Sequence, residues 1–126
     1  MRAVDTNVLV RLIARDDPAQ SAAAETFVQN GVWVSLLALA ETSWVLSKVY
    51  GVTASRLASV IEMMLEHAHL SLQDPDVVAR SLVAFRGRNA PEFSDCLMLE
   101  IAQKAGHLPL GTFDKRLARL DEVERL

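Results

Sequence analysis

Short apolar segments that alternate with longer amphipathic segments constrain this chain most strongly. The segments of strand length are Met1 to Val4, Val32 to Ser35, His69 to Leu72 and Leu108 to Gly111. Between them, apolar residues recur at helical spacing over 6–14, 18–30, 36–50, 53–66, 75–85 and 92–105. Strands that alternate with helices form βαβ units. The order therefore predicts an α/β fold, a three-layer α/β/α sandwich around a short, mostly parallel central sheet.

The ends of these segments carry residues that begin or stop helices. Asp17 is followed by a proline and then by Gln20, a spacing that predicts a capping box at the start of the second helix. Ser35 is the predicted N-cap of the next helix, and Gly31 ends the one before it. No repeat, low-complexity tract or linker is visible. We therefore expect residues 1–126 to form a single domain.

Composition narrows the functional classes. Cys96 is the only cysteine, which excludes an internal disulfide, and Asp5 interrupts the N-terminal apolar run before it reaches the length of a signal peptide. We therefore expect a cytoplasmic protein. The net charge of −3 argues against a protein that coats nucleic acid through a large basic field. The mean hydropathy of +0.19 is high for so short a chain, which predicts apolar surface that faces a partner.

Four carboxylates occupy positions where a ligand site is expected. Asp5 ends the first predicted strand and Asp114 follows the last one, and ligands of open parallel sheets bind beyond the carboxyl ends of the strands. Glu41 interrupts an apolar helix face, where a buried carboxylate needs a partner such as Lys48 or a cation. Asp95 lies at the edge of the apolar face of the predicted helix over 92–105. Taken singly, the aspartates can also be helix caps or first-turn acids.

The four acids together favour a metal site. If their side chains converge at spacings of about 5 Å, each pair repels by roughly 3 kcal/mol at an effective dielectric near 20, so the cluster requires a cation. Oxygen ligands suit Mg²⁺ or Mn²⁺, whereas zinc prefers histidine or cysteine. His67 and His69 are predicted to lie on different faces of a helix end, and His107 follows a helix stop. We expect all three histidines to be structural or surface residues.

Four motifs in order along the chain resemble a known family. They are Val4-Asp5-Thr6-Asn7-Val8-Leu9, Leu39-Ala40-Glu41-Thr42-Ser43-Trp44, Phe93-Ser94-Asp95-Cys96-Leu97 and Thr112-Phe113-Asp114-Lys115-Arg116-Leu117. In their order and separations they resemble the motifs of PIN-domain ribonucleases, and their residue sequences are most similar to those of the VapC toxins of type II toxin–antitoxin pairs. The resemblance spans nearly the whole chain.

The resemblance implies a PIN-like fold and Mg²⁺-dependent endoribonuclease action on RNA, with Mn²⁺ able to substitute. It implies that Asp5, Glu41, Asp95 and Asp114 are the catalytic and metal-binding residues, with Asn7 and Thr112 in support. It also implies a homodimer and a cognate antitoxin protein as partners.

The chain departs from the family pattern at a few positions, and some alternatives stay open. Many PIN domains carry a further acid where this chain has Arg116. A phospho-receiver domain is excluded, because no aspartate lies between Asp17 and Asp74, where its acceptor would stand. A catalytically silent PIN-like binding module and a housekeeping RNA-processing PIN nuclease remain possible.

Overall fold

The computed structural model describes residues 1–126, which form two compact units, Met1–Pro75 and Asp76–Leu126. The first unit contains β1 (Arg2–Ala3), α1 (Thr6–Ala14), α2 (Pro18–Val28), β2 (Val32–Val34), α3 (Leu36–Lys48), α4 (Ala54–Glu66) and β3 (Leu70–Leu72). Its three strands form one parallel sheet in the order β1-β2-β3. Both crossovers between these strands are helical, as parallel pairing requires.

The second unit begins within a helix whose first residue, Pro75, is the last residue of the first unit. It comprises α5 (Pro75–Phe85), α6 (Phe93–Ala105), β4 (Leu110–Thr112), a 3₁₀ turn (Leu117–Arg119) and β5 (Val123–Arg125). β4 and β5 pair in parallel as a separate two-stranded sheet. None of the helices in the chain is both long and apolar enough to cross a bilayer.

The predicted α/β class with short parallel strands is confirmed, and most predicted elements lie within a few residues of their expected bounds. Two details differ. The strands are divided between two sheets, and the second sheet includes β5, which the sequence pattern does not reveal because Val123 is its only apolar residue. After Asp114, which could alternatively have capped a helix, the chain forms only a short 3₁₀ turn at Leu117–Arg119.

Local capping chemistry explains where several helices begin. Asp5, Asp17, Ser35 and Thr53 have extended backbones, and each side chain accepts a hydrogen bond from the backbone N–H three residues later. The capping box at the start of α2 forms only in part. Asp17 accepts from the amide of Gln20, but the Gln20 side chain accepts a hydrogen bond from Arg11 instead of returning to Asp17.

The expectation for the histidine pair is wrong. The ring centroids of His67 and His69 lie 5.7 Å apart in an edge-to-face arrangement. The backbone is already extended at His67, which is the C-cap of α4, so residues two apart lie on the same side of the chain. Both histidines are exposed, as expected of surface residues.

The core of the first unit contains the inward residues of its sheet and the apolar faces of its helices. Val32 and Val34 are buried and flank the exposed Trp33, which is the alternation expected of a strand. Leu9, Leu39 and the other large buried side chains, Leu46, Ile61 and Met64, complete this core. Full burial of such a side chain stabilises the fold by about 1.5–3 kcal/mol. The resulting support holds α1, which Asp5 caps, and α3, which carries Glu41, in place.

Candidate active site

The first unit brings Asp5 and Glu41 to one cleft. Asp5 lies between β1 and α1, and as the N-cap of α1 its Oδ1 accepts a hydrogen bond of 3.1 Å from the amide of Val8. The next residue, Thr6, donates its hydroxyl to Glu41 Oε2 at 2.8 Å. These residues line a cleft of about 280 Å³, here called the acidic cleft, together with Val4, Ser35, Leu37 and Ala38.

Glu41 differs from its expected environment. The sequence pattern placed it in a buried apolar face of α3, but the structure exposes Glu41 together with Leu37 (70%) and Trp44 (52%). The buried face of α3 is formed instead by Ala38, Leu39, Thr42, Ser43 and Leu46. Glu41 therefore needs no buried counter-ion, and the apolar residues around it form surface, which spacing along a helix does not distinguish from core.

A second cleft adjoins the first at Asp5. It has a volume of about 500 Å³ and is lined by Asp5, Asn7, Val8, Arg11, Gln20, Ala23, Ala24 and Phe27, and we call it the amide cleft. Asn7, a predicted supporting residue, lies on α1 two positions after Asp5 and is exposed. Asp5 thus belongs to both clefts. Sequence analysis gave no reason to single out Phe27, because it resembles an ordinary apolar position of α2.

The second unit places Asp95 and Asp114 close enough for their charges to interact. Asp95 lies in the first turn of α6 and is partly buried. Burial raises the pKa of its carboxyl above the ordinary value, and the negative charges of Glu92 and Asp114 raise it further. The amide of Glu92 and the charge of Arg116 act in the opposite direction. Glu92, the N-cap of α6, was not among the predicted site residues.

Asp114 is held by backbone hydrogen bonds. Its Oδ1 accepts from the amides of Arg116 at 2.7 Å and Leu117 at 3.0 Å, and these bonds lower the pKa of the carboxyl below its ordinary value. The amide of Asp114 in turn donates to Thr112 Oγ1 at 3.0 Å. Thr112, the other predicted supporting residue, therefore fixes the turn that presents Asp114.

Arg116 stands where many PIN domains have a further acid, and here it supplies positive charge. Its guanidinium donates a hydrogen bond of 2.5 Å to the carbonyl of Ala90. Its charge lowers the pKa of both Asp95 and Asp114. The departure from the family pattern therefore reduces the repulsion within this acid pair.

Cys96 follows Asp95 but has no chemical role in this arrangement. The thiol is almost fully buried, and burial, with the neighbouring charges of Asp95 and Glu100, raises its pKa to about 12. A thiol protonated at neutral pH is neither a nucleophile nor a metal ligand. Cys96 therefore contributes to packing alone.

The donor chemistry of the two acid pairs fits a hard divalent cation. Each pair offers carboxylate oxygens, and the hydroxyl of Thr6 accompanies the first pair, which is the donor set that Mg²⁺ and Mn²⁺ prefer. No group of three or more histidine, cysteine, aspartate or glutamate side chains meets the geometry of a metal site. The convergence of all four acids on one metal therefore stays a prediction.

Comparison with known proteins identifies a family. The family described as PIN domain matches residues 2–123, which is nearly the entire chain. No curated protein and no solved structure matches.

Proposed function

The chain belongs to the PIN domain family, and on that premise we propose that it is a Mg²⁺-dependent endoribonuclease. PIN domains are typically metal-dependent nucleases, and PIN nucleases act on RNA. The observation that carries the proposal is that Asp5 and Glu41 line one cleft at the end of β1, where Thr6, the residue after Asp5, donates its hydroxyl to Glu41. An N-cap alone would not require a second carboxylate on a neighbouring helix.

The proposed catalytic and metal-binding residues are Asp5, Glu41, Asp95 and Asp114, with Asn7 and Thr112 in support. The family profile spans both compact units, so we propose that residues 1–126 act as one domain. The cap bond from Val8 fixes Asp5, and the hydroxyl of Thr6 orients Glu41, so both carboxylates keep their positions before substrate arrives. A bound divalent ion supplies activation of water and stabilises charge on the phosphoryl oxygens.

Replacement of Asp5 by asparagine tests this function. Asn keeps an oxygen that can accept the bond from Val8, and it is as good an N-cap as Asp, so the fold should persist. Cleavage of RNA in Mg²⁺ should fall by at least about a hundredfold, the scale of other lost electrostatic contributions. Asp17→Asn is the matched control, because Asp17 caps α2 in the same way and lines neither cleft. Full activity of Asp5→Asn would refute the proposal.

Metal binding separates the nuclease from a catalytically silent PIN-like module. Calorimetric titration with Mn²⁺ should detect specific binding at micromolar to low-millimolar concentrations in the wild-type protein, and weaker binding in Asp5→Asn. Aspartates that served only as helix caps would provide no specific Mn²⁺ site. Absence of any saturable binding in the wild-type protein would favour the silent module.

We further propose that the protein is a VapC-type toxin that acts in the cytoplasm, forms a homodimer and binds a cognate antitoxin. Exposed apolar residues on α3 and at its C-cap, Leu37, Trp44 and Val49, support the presence of protein partners. A neighbouring short gene for a DNA-binding protein with a flexible tail is expected. Expression of the protein alone should arrest growth, and coexpression with that gene product should restore it. Growth unaffected by expression of an active nuclease would favour a housekeeping RNA-processing role.

A further inference from the structure

The amide cleft contains hydrogen-bond donors that the proposed catalytic chemistry does not use. Gln20 Oε1 accepts a hydrogen bond of 2.6 Å from Arg11 Nε, so the amide oxygen faces Arg11 and the two N–H groups of Gln20 remain available. Arg11 Nη1 donates to Asp16 and to the Tyr50 hydroxyl, both at 3.0 Å. Arg11 Nη2 makes no hydrogen bond. The polar side of the cleft is thus rich in oriented donors.

The other side of the cleft is apolar and includes one aromatic ring. Phe27 lines the cleft with the methyl groups of Ala23 and Ala24 and the side chain of Val8. The guanidinium of Arg2, which is outside the cleft lining, stacks on the Phe27 ring with Cζ 3.8 Å from the ring centroid. Arg2 also donates to the Phe27 carbonyl at 3.1 Å, so the ring is fixed in position.

A fixed aromatic ring and oriented donors in the lining of one cleft suit a planar heterocycle. Proteins bind unpaired RNA bases by stacking them on aromatic rings and by hydrogen bonds to their edges. The charge of the cleft does not suit an isolated phosphate, because its one cation, Arg11, is paired with Asp16 and Asp5 adds negative charge. A volume of about 500 Å³ is ample for a single base.

We propose that the amide cleft binds one base of the RNA substrate, guanine or uracil, next to the bond that is cut. The position follows from Asp5, which lines both this cleft and the acidic cleft, so this inference rests on the proposed function. The base class follows from Gln20. Its free N–H groups donate to acceptors on the base edge, and guanine O6 and uracil O4 are acceptors at the positions where adenine and cytosine carry amino groups, which are donors.

Replacement of Gln20 by glutamate tests the base class. The variant exchanges donors for acceptors, so the ratio of kcat/KM for guanine- or uracil-containing sites to that for adenine- or cytosine-containing sites should fall by about tenfold. The measurement is cleavage of an RNA oligonucleotide library with each base at each position near one cut. Gln29→Glu adds the same charge outside the cleft and should leave the base ratio unchanged. Equal base ratios in the two variants would overturn the proposal.

Replacement of Phe27 by leucine tests the stacking surface. Loss of base–aromatic stacking should reduce kcat/KM by about tenfold, mainly through a higher KM. Because Phe27 is partly buried, the melting temperature is measured in parallel, and Phe27→Tyr, which keeps the ring, should restore the KM. An unchanged KM in folded Phe27→Leu would overturn the proposal, and so would failure of Phe27→Tyr to restore it.

A binding measurement distinguishes this inference from the proposed nuclease function. In nuclear magnetic resonance titrations, 5′-GMP or 5′-UMP should shift the side-chain amide signal of Gln20 more strongly than 5′-AMP or 5′-CMP. All four probes carry the same phosphate, so the difference reports the base. If RNA is cleaved and no base-dependent shift occurs, the base site is refuted and the nuclease stands. If the shift occurs without cleavage, the base site stands and the nuclease assignment fails.

Discussion

The two acid pairs of this chain are held in different ways. Asp5 and Glu41 are exposed; Asp5 accepts a local hydrogen bond from the Val8 amide, and Glu41 accepts one from the Thr6 hydroxyl on a different helix. Asp95, in contrast, is partly buried, and its pKa is raised by burial and by neighbouring negative charges. The first pair is therefore positioned by bonds, at little electrostatic cost. In the second pair, backbone hydrogen bonds stabilise the charge of Asp114, whereas the charge of Asp95 opposes folding until a cation compensates it.

The largest expected effect tests whether both pairs serve the same reaction. Asp5→Asn and Asp95→Asn should each reduce RNA cleavage by at least about a hundredfold. Residues that act as a unit are not additive, so the double variant should lose little more than either single variant. Single-turnover cleavage rates check this prediction. Multiplicative losses, or full activity of Asp95→Asn, would show that the pairs act separately.

A smaller effect is expected where a hydrogen bond positions the first pair. Thr6→Val keeps the size and branching of the side chain but removes the donor to Glu41 Oε2. A hydrogen bond to a charged group contributes about 1.5–3 kcal/mol, so cleavage should fall by roughly tenfold or more. Thr6→Ser, which restores the hydroxyl, is the control. If Thr6→Val cleaved RNA as fast as the wild type, the positioning role of Thr6 would be disproved.

The free energy of unfolding should depend on pH through Asp95 of the second pair. Burial raises the pKa of the Asp95 carboxyl in the folded chain, so this group stabilises the fold at pH values below its unfolded-state pKa of 3.8. The stabilisation is lost as the pH rises through the folded-state pKa. Asp95→Asn should therefore be more stable than the wild type at neutral pH, and the difference should vanish towards pH 3. Denaturant unfolding with EDTA present measures it. A variant less stable at pH 7 would contradict the electrostatic interpretation.

The smallest expected effect concerns Arg116. Its charge lowers the pKa of Asp95 and of Asp114, so Arg116→Gln should raise both values. The increase should be small for the exposed Asp114, because its carboxyl is held mainly by backbone bonds. Side-chain carboxyl titration by nuclear magnetic resonance in metal-free buffer detects it. Lys115→Gln, at the neighbouring exposed position, is the control.

Much of the fold could be predicted because its signals are local. α1 extends from Thr6 to Ala14 as expected, and Ser35 caps α3 as its position predicts. β5 could not be predicted, because a three-residue strand acquires its identity only by pairing with β4. The Gln20 side chain was also misassigned. It had two possible partners, and only the folded chain shows that Arg11 is preferred to the Asp17 amide.

The sequence by itself determined the α/β class, the helix caps and the family, and it nominated the four acids of the proposed site, because spacing and residue type are properties of the chain. Tertiary structure alone decided which face of α3 is buried, that Thr6 donates its hydroxyl to Glu41, and that Gln20 and Phe27 share a cleft. Those facts depend on contacts between elements distant in sequence. Periodicity identifies an apolar stripe, but only packing determines whether that stripe meets another element or remains exposed.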